Sequence, residues 1–240
     1  MDFFYNNTKV SYRVLGKGKK SVLMLHGWCD NGKSMEFFCN RFRLNKKYII
    51  IDFPPFGDSG EINGVWGVED YAKCVITLLD ILKTKKVDII SHSFGGRVAI
   101  YLANHYTEYV DKMLLIASAG LMPKHRWKTK LKVLEYKLRK RLNLSTKNFG
   151  SADYKALDES TKKTFSRVVN YNQKNQAKNI TKPVLIIAGE KDTATPLYMQ
   201  KKLNKYIKTS SLIIFKNASH FAHFDQIDRF IYITNIFLKD

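Results

Sequence analysis

Cysteine is scarce in this chain: Cys29, Cys39 and Cys74 are the whole supply. An odd number with no close spacing is not a disulfide framework, and no C-x-x-C pair exists to hold a structural zinc. Nor does any apolar run approach the ~20 residues that a membrane span needs. Met1 to Val14 alternates polar and apolar residues where a secretory signal would be continuously apolar. Glycine and proline are not abundant, which excludes collagen-like and low-complexity chains. These absences lead us to expect a soluble protein of the reducing cytoplasm with no bound metal.

Acidic side chains are also few, 21 against 41 basic ones, for a formal charge of +20. Such an excess can serve an acidic partner, an anionic membrane or nucleic acid. The lysines are spread along most of the chain, so we read them as solvated faces and expect a small-molecule partner and no nucleic acid. The sequence leaves the oligomeric state open.

What is present is enough apolar material, 45% of 240 residues, for one sizeable core. Phe3 to Tyr5 and Lys9 to Val14 flank Asn6-Asn7 and predict a β-hairpin. Six short apolar runs follow: Val22 to Leu25, Tyr48 to Ile51, Val87 to Ile90, Met113 to Ile116, Val184 to Ala188 and Leu212 to Phe215. Continuous rather than alternating runs suit strands covered on both faces, as in a parallel sheet. Between them, Val68 to Leu82 has an apolar stripe at spacings of three and four. Phe94 to Tyr106, Leu197 to Tyr206 and Phe224 to Leu238 read as further helices. The alternation predicts a doubly wound, mostly parallel α/β sheet.

Residues 121–178 interrupt this rhythm. They contain no convincing strand and are too long for an ordinary loop. We expect a core of residues 1–120 and 179–240 with 121–178 as a helical cap insertion over the carboxyl edge of the sheet, where such folds bind ligands. Within the insertion, Trp127, Leu131, Leu134, Leu138 and Leu142 form the apolar stripe of a strongly basic helix, His125 to Leu142. Such a helix could touch an anionic membrane. Its stripe suits packing on the core better, and that is the reading adopted.

Ser91-His92-Ser93-Phe94-Gly95-Gly96 lies between a strand and a helix. A serine on so tight a turn stands proud of the sheet, and the helix N-terminus behind it offers N–H groups to a developing oxyanion. The usual Gly-x-Ser-x-Gly pattern has Ser91 in place of its first glycine. A nucleophilic serine needs a base, and the base an orienting acid, in the chain order serine, acid, histidine. Asp192 follows the strand Val184 to Ala188, and His220 follows Leu212 to Phe215, so both fall on the edge that carries Ser93. Glu190 is the rival acid and His223 the rival base. Leu25-His26-Gly27-Trp28 ends another strand, and the backbone N–H groups of Trp28 and Phe94 are the candidate oxyanion hole. Trp28 is also the candidate substrate-binding wall. His26 and the Asp52 to Gly60 loop read as architecture.

These segments together resemble the α/β-hydrolase superfamily along nearly the whole chain, in particular its small single-domain bacterial serine hydrolases with a short helical cap. Asn148 to Leu157 is similar to a cap segment of that group. Two departures are Ser91 for glycine and Pro55 where the related loop usually has glycine. The resemblance implies hydrolysis without metal or organic cofactor. Serine at position 93 argues against the aspartate-based dehalogenases and epoxide hydrolases of the same fold. The expected activity is cleavage of a carboxylic ester with a small to medium apolar acyl group through an acyl-enzyme. Carbon–carbon or lactone cleavage on the same residues, or a ligand receptor with weak turnover, are the alternatives, because this fold hosts many chemistries.

Overall fold

A computed structural model describes residues 1–123 and 157–239. The expected basic helix at His125 to Leu142 lies outside the described residues, as does most of the segment Asn148 to Leu157.

Eight strands form one sheet: β1 (Asp2–Tyr5), β2 (Thr8–Leu15), β3 (Lys20–Leu25), β4 (Lys46–Ile51), β5 (Val87–His92), β6 (Val110–Ile116), β7 (Val184–Gly189) and β8 (Ser210–Phe215). Their spatial order is β1-β2-β4-β3-β5-β6-β7-β8. The pairs β1–β2 and β2–β4 are antiparallel and all others parallel. The first hairpin turns through Asn6 and Asn7, at φ of 47° and 57°, the left-handed region that asparagine tolerates and a two-residue turn requires.

The helices among the described residues are α1 (Gly32–Cys39), α2 (Val68–Ile81), α3 (Phe94–His105), α4 (Glu159–Asn170), α5 (Lys174–Asn179), α6 (Leu197–Tyr206), α7 (Ala222–Asp225) and α8 (Ile227–Leu238). Helix α1 was not anticipated from sequence. Asn31 starts it by accepting from the Lys33 N–H at 3.0 Å. The final helix, expected as one piece, breaks at Gln226, whose φ of −135° is not helical.

The central strands carry continuous apolar runs, such as Val22 to Leu25 and Ile49 to Ile51, because both faces of the sheet are covered there. Leu23, Leu25, Ile49 and Ile51 point into a cluster with Tyr71, Val75, Leu78 and Val98 of α2 and α3. Their neighbours Val22, Met24 and Ile50 point the other way, against Met35 and Phe38 of α1 and Phe230 and Leu238 of α8. This is the period-two alternation of a strand, with both phases buried. Val168 of α4 and Ala177 of α5 join the first cluster, so both helices seat on the same side as α3.

The loop after β4 is locked by one carboxylate. Asp52 is fully buried and accepts from the Gly32 N–H at 2.6 Å, the Asp58 N–H at 3.0 Å and both Arg13 guanidinium nitrogens at 3.2 Å. Burial pushes its pKa up, but the Asp58 and Gly32 N–H groups and Arg13 outweigh it and hold the carboxyl below the usual range. Removing its charge takes the buried partner from Arg13, which keeps only the more exposed Asp58 and Glu36 carboxylates, so Asp52→Asn should lower unfolding free energy by about 3 kcal/mol, read as a lower urea midpoint at unchanged slope. A lowered native pKa contributes stability above the ordinary carboxylate range and loses it as pH falls through the native value. The gap between wild type and Asp52→Asn should therefore narrow below about pH 4.

Candidate active site

Ser93 sits between β5 and α3 with φ 48° and ψ −107°, a conformation that L-residues rarely adopt. Its N–H donates to Ile116 O at 3.0 Å, and its carbonyl accepts from the Gly96 and Ala119 N–H groups at 3.0 Å. The turn is possible because α3 starts hard against β3. A Cβ on Gly95 would lie 2.4 Å from the Leu25 carbonyl oxygen, so only glycine fits. Ser91 stands where the related motif has glycine. It is fully buried, and its hydroxyl has no hydrogen-bond partner among the described residues.

The parallel register brings the ends of β3, β5, β7 and β8 to one edge. Beyond β7, Asp192 Oδ1 accepts from the Ala194 and Thr195 N–H groups at 2.8 and 2.9 Å. Its Oδ2 faces the Thr195 hydroxyl at 2.7 Å and His220 Nδ1 at 2.9 Å. Burial raises the Asp192 pKa, but these hydrogen bonds, led by that of His220, win and hold it below the usual value. A charged acceptor at Nδ1 fixes the proton there and leaves Nε2 without one. The two loops meet closely: a Cβ on Gly189 would lie 2.0 Å from Ser219 O. Ser219 in turn donates from its N–H and its hydroxyl to Asp225 at 2.6 and 2.7 Å, which sets the loop that carries His220.

The rivals lie elsewhere. Glu190 accepts from the Asn217 N–H at 2.9 Å, clamping the turn after β8. His223 is 1% exposed, with both ring nitrogens unpartnered among the described residues, and burial pushes its pKa down to about 2. The structure thus brings Asp192 to His220 and leaves Glu190 and His223 apart from that pair. No hydrogen bond joins the Ser93 hydroxyl to His220 among the described residues. Such contacts often close only when substrate binds.

Neither the Trp28 nor the Phe94 N–H is taken up by a turn or cap hydrogen bond among the described residues. Trp28 follows Gly27, whose Cβ position is 3.6 Å from Ser93 Cβ, so the turn after β3 reaches the serine directly. His26 ties that turn to the next. Its Nδ1–H donates to Gly27 O at 2.7 Å, and its Nε2 accepts from the Phe53 N–H at 2.8 Å.

A cavity of about 790 Å³ opens over Ser93, with Trp28, Phe94, Leu121, Phe165 and Val168 among its walls. Trp28 meets Phe94 and Phe165 at ring-centroid distances of 5.3 and 5.2 Å. Phe165 on α4 and Arg97 on α3 were not singled out from sequence. Arg97 is nearly buried and donates to Tyr171 O at 2.6 Å and Val169 O at 3.4 Å, at the carboxyl end of α4. A cation favours that helix terminus, and here it fastens the cavity wall to the helix that begins at Ser93. The i, i+4 spacing of Ser93 and Arg97 was the one available signal. No cluster of three or more metal-ligating side chains occurs among the described residues.

Comparison with known proteins agrees with this architecture. The sequence profile of the alpha/beta hydrolase fold matches residues 20–141 and 130–226. The chain belongs to that family and is a hydrolase. It is 24% identical over 243 residues to a pimeloyl-[acyl-carrier protein] methyl ester esterase of Vibrio vulnificus, covering 89% of this chain and 92% of the relative. A hydrolase from Pseudomonas aeruginosa superposes with a TM-score of 0.81 at 16% identity, covering 100% of this chain and 98% of the other. Est816, described as an N-acyl homoserine lactone degrading enzyme, superposes with a TM-score of 0.79 at 22% identity over 99% of this chain and 100% of its own.

If Asp192 fixes the His220 tautomer, Asp192→Asn should fold normally and lose about 10³-fold or more in kcat. Glu190→Gln should stay within a few-fold of wild type. Steady-state kinetics on a p-nitrophenyl ester with a thermal melt for each variant reads both outcomes.

Proposed function

We propose that this hydrolase cleaves carboxylic esters with a small to medium apolar acyl group, using Ser93 as nucleophile, His220 as general base and Asp192 as its orienting acid. The observation that carries the reading is the 2.9 Å contact of His220 Nδ1 with Asp192 Oδ2, on the same sheet edge as a serine held on a strained turn. In this mechanism Ser93 Oγ attacks the ester carbonyl while His220 Nε2 takes its proton. The carbonyl oxygen becomes an oxyanion facing the Trp28 and Phe94 N–H groups. Asp192 stays ionised and stabilises the imidazolium. The tetrahedral intermediate expels the alcohol, which receives the proton from His220. Water then attacks the acyl-enzyme, His220 again accepting and returning a proton, and the acid leaves.

The aromatic and aliphatic walls of the cavity favour an apolar acyl chain, and its size suits a small ligand. We assign residues 121–178 as the cap over this edge, with Phe165 of α4 facing Trp28 across the cavity. A cyclic ester is the second reading, supported by the full-length similarity to Est816. It needs the same bonds to form and break.

Ser93→Ala should remain folded and lose about 10³-fold or more in turnover, because such residues act as a unit. Labelling by a fluorophosphonate should be lost with it. A panel of p-nitrophenyl esters from acetate upward and a homoserine lactone series measures the choice between the readings. A folded Ser93→Ala protein with wild-type turnover overturns both.

A further inference from the structure

The nucleophile and the base stand on strands that do not touch. In the sheet, β6 and β7 separate β5 from β8. At ~4.8 Å per strand the two strands lie about 14 Å apart in the sheet, so the loop after β8 folds back along the edge to bring His220 near Ser93, and no ladder joins β5 to β8 directly. Among the described residues, a side chain at the end of β5 ties that loop in place. His92, the last residue of β5 and the one before Ser93, is 2% exposed, and its Nε2 lies 3.1 Å from the backbone carbonyl oxygen of His220.

The proton on that ring is decided by its surroundings. A carbonyl oxygen only accepts, so Nε2 carries the hydrogen. The other nitrogen, Nδ1, is buried and without a partner, and it lies against the β3 turn, where a Cβ on Gly27 would be 2.9 Å away. Burial pushes the His92 pKa down to about 4, with the nearby His220 acting in the same direction, so the ring is neutral at physiological pH. Around it stand the rings of His220 at 4.8 Å, His223 at 4.7 Å and Phe221 at 5.2 Å. An aliphatic side chain would fill this space without burying an unpartnered nitrogen, which costs about 1–3 kcal/mol. The Nε2–H hydrogen bond is what an imidazole supplies and an aliphatic residue does not.

We propose that His92 is a positioning residue, whose Nε2–H donates to the His220 carbonyl and sets the separation of the His220 ring from Ser93. The inference rests on the Ser93–His220–Asp192 reading. His92 does not line the cavity over Ser93, so its removal should act on kcat and leave KM nearly unchanged.

The test compares His92→Leu, which keeps apolar volume and loses the donor, with His92→Gln, whose amide Nε2–H reaches a similar depth. Each is assayed on p-nitrophenyl acetate and by the rate of Ser93 labelling with a fluorophosphonate. His92→Leu should lower kcat and the labelling rate about 10- to 100-fold, the scale of a misplacement of the order of 1 Å, with KM within about twofold. His92→Gln should recover most of the loss. If His92→Leu does not fold, His92→Asn replaces it, since its shorter amide cannot reach His220 O and should show the same deficit against His92→Gln. Equal kcat in the donor and non-donor variants, whether both are high or both low, overturns the positioning role. Wild-type protein that is not labelled at Ser93 overturns the nucleophile reading itself. Labelling of wild type at Ser93 with an undiminished rate in His92→Leu overturns only the role of His92.

Discussion

The backbone of Ser93 is the constraint on which the rest of the site depends. A serine at φ 48° and ψ −107° is strained by about 1–3 kcal/mol, and it persists because its surroundings over-determine it. Ile116 and Ala119 of the neighbouring β6 region hold its N–H and its carbonyl, and the Gly95 N–H donates to His26 O across the turn after β3. The same contacts that hold the strain bring three strand ends together. Relaxing the turn would undo the Ile116, Ala119 and His26 contacts that hold Ser93 at the edge.

Around that turn the polar groups are arranged so that one carboxylate stays ionised. Asp192 is 5% exposed, a place that would ordinarily favour the neutral acid. Backbone N–H groups of its own loop, the Thr195 hydroxyl and the His220 ring fill its acceptor sites. Asp52 uses the same physics for architecture, with Arg13 in place of histidine. The difference lies in the partner. Arginine is permanently charged, whereas imidazole can gain and lose a proton near neutral pH.

The cavity wall is tied to the same turn. Helix α4 is fastened at its carboxyl end by Arg97, one turn of α3 beyond Ser93, and along its length by the Thr164 hydroxyl, which accepts from the Trp66 N–H at 3.1 Å. Arg167 adds ion pairs to Glu69 and Asp70 at the start of α2. Phe165 therefore meets Trp28 from a helix anchored at several points. Gln173 adds a further tie by donating to the Arg97 carbonyl at 2.8 Å.

Much of this was legible in the residues because it is local. The apolar runs at Val22 to Leu25 and Val184 to Ala188 mark strands covered on both faces, since only a parallel sheet between helix layers buries every position. Asn6-Asn7 marks its turn because asparagine tolerates positive φ. Ser93, Asp192 and His220 could be singled out as candidates because each follows a strand, and parallel strands deliver their ends to one edge. The sequence alone did not reveal α1, whose eight residues give only a short stripe of Met35, Phe38 and Cys39, or the break at Gln226. The tertiary structure shows Asp192, the acid preferred from sequence over its rival Glu190, in contact with His220. Both carboxylates leave β7 within two residues of each other, and they differ in the donors each one encounters: Glu190 meets the Asn217 N–H, and Asp192 its own loop and His220. The tertiary structure alone decided that Arg97 reaches α4 and that His92 reaches the His220 loop. These contacts join residues far apart in the chain, and nothing in local pattern encodes a distance across two intervening strands.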